Sequence, residues 1–238
     1  MLFFYVRHGD PIYDPDSLTP LGERQAEAVA KRLAMHGVHK IYASTSKRAI
    51  QTADPTCEIL KMDKELVDFA HEHHAWMQMT VVRDDGSRRW GFEDREMRKT
   101  FADPSVIAMG HQWYDHPAFK DTTFKEGILR IQRESDAFFA KLGYEHIPGT
   151  GTYKVVEDNA ARVAMFAHQG FGLAFLSCIL DIPYPQFCLH FDFCHTGMTA
   201  IEFREEDGIA IPRVLTLSSD SHIYKEGLPT NYNNVMRF

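Results

Sequence analysis

Cysteine is scarce: the 238 residues hold four, Cys57, Cys178, Cys188 and Cys194. Their spacing makes no CxxC pair and no zinc-ligand pattern. So few in so long a chain exclude a disulfide scaffold, and free thiols in a reducing compartment are expected. Positive charge is also short, with 26 Lys and Arg against 33 Asp and Glu and a formal net charge of −7. Without a basic footprint, neither nucleic acid nor an anionic membrane surface is an expected partner. An anionic ligand would have to be attracted by a local pocket. Long apolar runs are absent as well. The most apolar stretch, 163–183, is broken by His168, Gln169 and Asp181 and reads as strand, turn and helix rather than a membrane span. The opening MLFFYVRHGD lacks the basic and apolar regions of a signal peptide, so the expectation is a cytoplasmic protein. Internal repeats and low-complexity tracts are missing too.

What is present suits one folded α/β domain spanning 1–238, since 44% of residues are apolar and 25% charged. Leu2–Val6 predicts a short buried strand ended by Arg7-His8-Gly9. Thr19-Pro20 opens a helix as N-cap and first helical residue, and Gly37 stops it. Leu21, Ala28, Val29, Leu33 and Met35 give that helix its apolar face. Lys40–Ala43 predicts a second strand, followed by a helix capped within Ser44–Ser46. Strand and helix alternating in this way imply parallel pairing. The pattern returns with a strand at Val163–Ala167, a helix at Gly170–Leu180, and strands at Met198–Phe203 and Ile209–Leu217 that could form a hairpin.

Between these halves, Trp76–Val82 and Ser87–Phe92 read as strands flanking the hairpin turn Asp84-Asp85-Gly86, and Phe124–Leu142 is a long amphipathic helix ended by Gly143. Residues from about 72 to 121 are read as an inserted cap over the functional edge of the sheet. Trp76, Trp90, Trp113 and Tyr114 within it are expected mostly to form a small satellite core, with one or two free to meet an organic leaving group.

Chemistry concentrates at three strand ends. Arg7-His8-Gly9 sits where ligands bind in open α/β sheets, beyond the strand's carboxyl end. An arginine fork suits phosphate oxygens, a neutral histidine is a competent nucleophile, and glycine lets the backbone approach. Alone the tripeptide reads equally well as surface arginine and turn-capping histidine. Ser44 to Arg48 then gathers hydroxyls and cations at a helix N-terminus, which favours anions, and His168 ends the third parallel strand. A capped helix and a core histidine are the bland readings of these two. Three strand ends each delivering a cation or imidazole make all the bland readings hard to hold at once.

Arg7-His8-Gly9, Leu18-Thr19-Pro20-Leu21-Gly22-Glu23-Arg24-Gln25-Ala26, Arg48-Ala49-Ile50-Gln51-Thr52-Ala53 and His168, in that order, resemble the histidine phosphatase superfamily. More narrowly the chain is similar to its phosphoglycerate-mutase-like branch. The resemblance implies a three-layer α/β/α sandwich with a mostly parallel central sheet. It implies a metal-independent phosphomonoesterase without cofactor, acting on a small phosphate ester through a phosphohistidine. His8 would be the nucleophile, Arg7, Arg48 and His168 would hold the phosphoryl oxygens, and Glu72 would be the general acid, with Asp68 as runner-up. A phosphoglycerate-type mutase and a non-catalytic phospho-ligand binder are the alternatives; a homo-oligomer is compatible with any of them. Departures from the family pattern lie around the pocket: Thr45-Ser46 for Ser-Pro, Asp14 for an asparagine, and Gln169 between His168 and Gly170. The run His71-Glu72-His73-His74 has zinc-ligand residue types, but its spacing fits no metal motif, and adjacent residues cannot all face one ion on regular structure. No metal site is expected there; His73 or His74 could line the substrate pocket.

Overall fold

A computed structural model describes residues 1–157 and 159–233. From the N-terminus come β1 (Leu2–Arg7), β2 (Pro11–Tyr13), β3 (Asp16–Leu18), α1 (Pro20–His36), β4 (Lys40–Ser44), α2 (Lys47–Leu60), β5 (Lys64–Val67) and α3 (Glu72–Gln78). Next are β6 (Thr80–Val82), β7 (Arg88–Trp90), α4 (Arg95–Phe101), α5 (Pro104–Ala108), α6 (Phe124–Ala140), β8 (Tyr144–Ile147), β9 (Thr152–Val155) and β10 (Arg162–Ala167). The chain continues with α7 (Gln169–Ile179), α8 (Tyr184–His190), β11 (Met198–Glu206), β12 (Ile209–Ser219) and α9 (Ser221–Lys225).

Eight strands form the central sheet in the order β5-β4-β10-β1-β11-β12-β9-β8. The half from β5 to β1 is parallel, and from β1 onward every neighbour is antiparallel. This is the expected α/β class, with its parallel half carrying the three strand ends singled out above. Alternation along β1 shows why helices cover both faces. Phe3 and Tyr5 join a core with Phe138 and Phe139 of α6 and Phe175 of α7. Phe4 and Val6 join a second core with Val29 and Leu33 of α1 and Ala53 of α2.

Local signals explain several boundaries. Thr19 accepts from the Gly22 N–H at 3.0 Å and Pro20 begins α1. Gly37 ends it at φ 70°, where glycine has no Cβ to clash. The Met198–Phe203 and Ile209–Leu217 strands do pair as a hairpin, and Asp84-Asp85-Gly86 links β6 to β7. Three readings change. Trp76 lies in α3 rather than in a strand. Met35 is 81% exposed, outside the apolar face of α1. The aromatics of 101–124 are not a satellite: Phe101, Trp113 and Phe119 run continuously into the core with Phe124 and Tyr184.

The far edge of the sheet is pinned by charge. His146 of β8 lies 3.0 Å from Asp136 of α6 and 3.0 Å from Asp181 just after α7. Burial pushes the imidazole down, but hydrogen bonds to the two carboxylates outweigh it and raise its pKa to about 9. A folded-state pKa above the unfolded value of about 6.5 gives stability that is complete below that value and lost as pH rises through about 9. His146→Leu is therefore expected to lower the unfolding midpoint clearly at pH 6 and much less at pH 10. Thermal melts of both proteins at the two pH values check this. An equal gap at both would remove the charged histidine from the explanation.

Candidate active site

The site is assembled where β1, β4 and β10 end. Arg7, His8, Arg48 and Glu72 line one cavity of about 440 Å³, with Tyr13, His71, His73, Trp76, Trp90, Glu93, Gln169 and Asn233.

The family-like motif residues between β1 and α2 act mainly as scaffolding. The Gly9 N–H donates to Thr52 Oγ1 at 3.0 Å, the Asp10 N–H to Gln25 Oε1 at 2.8 Å, and the Leu18 N–H to Gln51 Oε1 at 2.9 Å. Gly9 and Gly22 let the loop lie directly on α1. A Cβ on Gly22 would stand 2.2 Å from the Asp10 carbonyl oxygen, and one on Gly9 would stand 2.6 Å from that of Gly22. Both clashes are with backbone, so no side-chain rotation relieves them. Gly22→Ala is expected to cost about 1–3 kcal/mol as overpacking does, and to lower turnover more than its stability loss explains because His8 moves with the loop. Denaturant unfolding alongside activity of the folded variant measures both; full activity would contradict the coupling.

His8 is 3% exposed. Its Nδ1 lies 2.7 Å from the Gly9 carbonyl oxygen, which can only accept, so the proton sits on Nδ1 and Nε2 keeps its lone pair. Burial, and then the charges of Arg7 and Arg48, hold its pKa well below the ordinary value. The ring is therefore neutral across the physiological range.

Arg7, fully buried, donates to the Phe193 carbonyl at 2.6 Å, His195 Nε2 at 2.8 Å and Asn233 Oδ1 at 2.5 Å. Arg48 pairs with Asp16 at 2.8 Å and donates to His168 Nδ1 at 3.2 Å. Yet the Nε–H of each guanidinium is buried without a hydrogen-bond partner among the described residues. Two guanidiniums lining one cavity favour an anion there, since their planar donor forks match phosphate oxygens.

His168 lies a layer deeper than the resemblance suggests. Its ring centroid is 5.2 Å from that of His8, but Nδ1 accepts from Arg48 and Nε2 faces Ser44 Oγ at 2.8 Å and Ser46 Oγ at 3.3 Å. In this arrangement it orients Arg48. Burial, then Arg48, keeps it neutral by pushing its pKa well down.

Glu72 opens α3 and reaches the N-terminus of α7. Its two oxygens accept from the Gly170 and Phe171 N–H groups, each at 2.9 Å. Burial raises its pKa against the opposing pull of the Phe171 N–H, Arg48, the Gly170 N–H and Arg7. Asp68 differs on each count. Its side chain is 73% exposed, bonded to His74 at 3.0 Å and Thr45 at 3.0 Å, and these bonds lower its pKa. A carboxyl so placed is a poor proton donor.

His71 caps α3 by accepting from the His73 N–H and, with His73, lines the cavity, while His74 pairs with Asp68. Among the described residues no three His, Cys, Asp or Glu side chains come together as a metal site would require. No helix there is long and apolar enough to cross a membrane.

His195 is the residue that sequence reading missed. It is 5% exposed, its ring is 5.9 Å from His8, its Nε2 accepts from Arg7, and Asp10 lies 3.3 Å from its Nδ1. Burial and Arg7 push its pKa to about 3, so it stays a neutral acceptor. The signal was topological. The antiparallel pairing of Val6 with Met198 brings the residues preceding β11 beside the end of β1.

The fold and these residues can be set against known proteins. The chain resembles the Entamoeba histolytica phosphoserine phosphatase, solved with 3-phosphoglyceric acid, with TM-score 0.59 and 16% identity over 93% of this chain and 98% of that one. Mycobacterial glucosyl-3-phosphoglycerate phosphatase aligns with TM-score 0.57 and 17% identity over 92% and 98% of the chains. The α-ribazole phosphatase of Shigella flexneri aligns with TM-score 0.56 and 17% identity over 92% and 96%. At such identities the likeness concerns the fold. A comparison with curated protein sequences finds no match. The model of the histidine phosphatase superfamily (branch 1) matches residues 4–213, nearly the whole span that holds the strand-end motifs and their scaffold, and the chain belongs to that superfamily.

Proposed function

We propose that the protein is a metal-independent phosphomonoesterase that hydrolyses a small phosphate ester through a phosphohistidine on His8. The observation that carries this reading is the convergence of three features in one cavity: His8 with its Nε2 lone pair, the Arg7 and Arg48 guanidiniums, and the Glu72 carboxyl with a raised pKa.

Arg7 and Arg48 neutralise the phosphoryl oxygens, on which the transition-state charge is spread. Nε2 of His8 attacks phosphorus as the ester P–O bond breaks. Glu72 gives its proton to the departing alkoxide, an assistance worth roughly 10²–10⁴-fold. The resulting Glu72 carboxylate then takes a proton from water. That water's oxygen attacks phosphorus, the P–N bond breaks, phosphate leaves, and both groups are restored. His168 supports the anion through Arg48. Direct contact with the phosphoryl oxygens would require Arg48 to give up its bond to Nδ1.

The mutase reading is weaker because, among the described residues, no lysine or arginine other than Arg7 and Arg48 lines the cavity to hold a second phosphate. A non-catalytic binder has no use for a cavity-facing nucleophile or acid.

The direct test is hydrolysis of para-nitrophenyl phosphate and a panel of alkyl phosphates in excess chelator. Sustained turnover is expected. Turnover of no ester, or activity that needs an added metal, would contradict the reading.

A further inference from the structure

Beyond the two guanidiniums, the described cavity wall carries two carboxyl groups, two amides, a phenol, three imidazoles and two indoles. Glu93 lines it, and the Glu93 carboxylate has neither a hydrogen bond nor an ion pair among the described residues. Burial and the neighbouring Asp192 hold this carboxyl above its ordinary pKa, against the pull of Arg89 and Arg7. That direction is expected of a carboxylate lacking a cationic partner. Gln169 lines the same cavity and is 3% exposed. Its amide nitrogen donates to Asp192, which fixes the amide's orientation and leaves Oε1 an acceptor without a donor. Trp76 and Trp90 close the wall, with ring centroids 5.1 Å apart and planes at 80°. Trp90 is held in place by stacking on Phe92 and by Gly170, where a Cβ would stand 2.4 Å from the indole. A carboxylate, an orphaned carbonyl oxygen and two indoles are complementary to a protonated amine. A carboxylate or second phosphate on the leaving group would meet Glu93 with no further arginine or lysine among the described lining residues, because Arg7 and Arg48 are committed to the transferring phosphoryl.

We propose that the leaving alcohol carries a protonated amine, received by Glu93 and Gln169 Oε1 beside Trp76 and Trp90. The substrate class is thus an amino-alcohol phosphate, an assignment that rests on the phosphomonoesterase reading above.

The test compares kcat/KM for ω-aminoalkyl phosphates of increasing chain length with that for n-alkyl phosphates of matched length. The wild type is expected to favour the amine by roughly tenfold or more at its best length, as a charge-assisted contact provides. In Glu93→Gln the amine-to-alkyl ratio should fall towards one. In Glu93→Lys the preference should pass to ω-carboxyalkyl phosphates. Equal use of amine and alkyl esters at every length, or an amine preference undiminished in Glu93→Gln, overturns the inference and leaves the phosphatase standing. Turnover of neither series overturns both.

Discussion

Replacing His8 by alanine is expected to lower turnover of every phosphate ester by roughly 10⁴-fold or more, the scale on which loss of a covalent nucleophile acts in other hydrolases. The expectation follows from position. Nε2 is the nitrogen of His8 that keeps its lone pair, because the Gly9 carbonyl fixes the proton on Nδ1. Burial, and then the neighbouring arginines, keep the ring neutral and so available. The two imidazoles nearest it are engaged elsewhere: the nitrogens of His168 face Arg48, Ser44 and Ser46, and Nε2 of His195 accepts from Arg7. The variant should still bind phosphate or vanadate, since Arg7 and Arg48 remain. Steady-state rates with binding measured on the same preparation separate lost chemistry from lost folding. Residual activity near that of the wild type would rule His8 out as the nucleophile.

Glu72→Gln should slow hydrolysis of alkyl phosphates by roughly 10²–10⁴-fold. Its effect on the first step with para-nitrophenyl phosphate should be much smaller, because that leaving group departs without a proton. The pH dependence has a definite sign. His8, with its lowered pKa, is already neutral at moderately acid pH, so deprotonating it sets no limit near neutrality. Glu72 must be protonated to act, and its pKa is raised. Turnover of alkyl phosphates should therefore be highest on the acid side and fall as pH rises through the elevated Glu72 value. That falling limb should vanish in Glu72→Gln. Glutamine keeps an oxygen for only one of the two N–H groups at the start of α7, so circular dichroism of the variant belongs in the comparison. A falling limb that survives in Glu72→Gln would assign the proton to another group, and Asp68, exposed and held low by His74, is not well placed to be it.

Much of the site is legible in the sequence because its residues fall at strand ends next to strong local punctuation. Thr19-Pro20 and Gly37 bound α1, and strong apolar runs mark β1 and β10, so the sequence alone places Arg7, His8 and His168. Glu72 is reached by family resemblance rather than by local pattern. Its partners, the N–H groups of Gly170 and Phe171, are nearly a hundred residues away in sequence, and no periodicity announces them. β5 escapes detection because Lys64–Val67 is an edge strand with Leu66 half exposed, so it shows no alternation or buried run. β8 and β9 are only four residues each, with one fully buried tyrosine apiece, too short for a clear alternation, and they join the sheet through β12. The loop after Gly9 conceals a small hairpin of β2 and β3, whose Asp16 reaches Arg48 and the N-terminus of α2. His195 is hidden for a related reason: only the antiparallel pairing of β1 with β11 shows what lies beside Arg7.

The most direct test of the account is to trap the intermediate. Glu72→Gln, mixed with para-nitrophenyl phosphate and quenched in base, should gain one phosphoryl group on the peptide containing His8, because the first step remains fast while the water-activating step is slowed. That label should be lost in acid, as a phosphoramidate is, and should be absent from the same protein carrying His8→Ala. Turnover with no label on any residue, or a stable label elsewhere, would contradict the phosphohistidine mechanism.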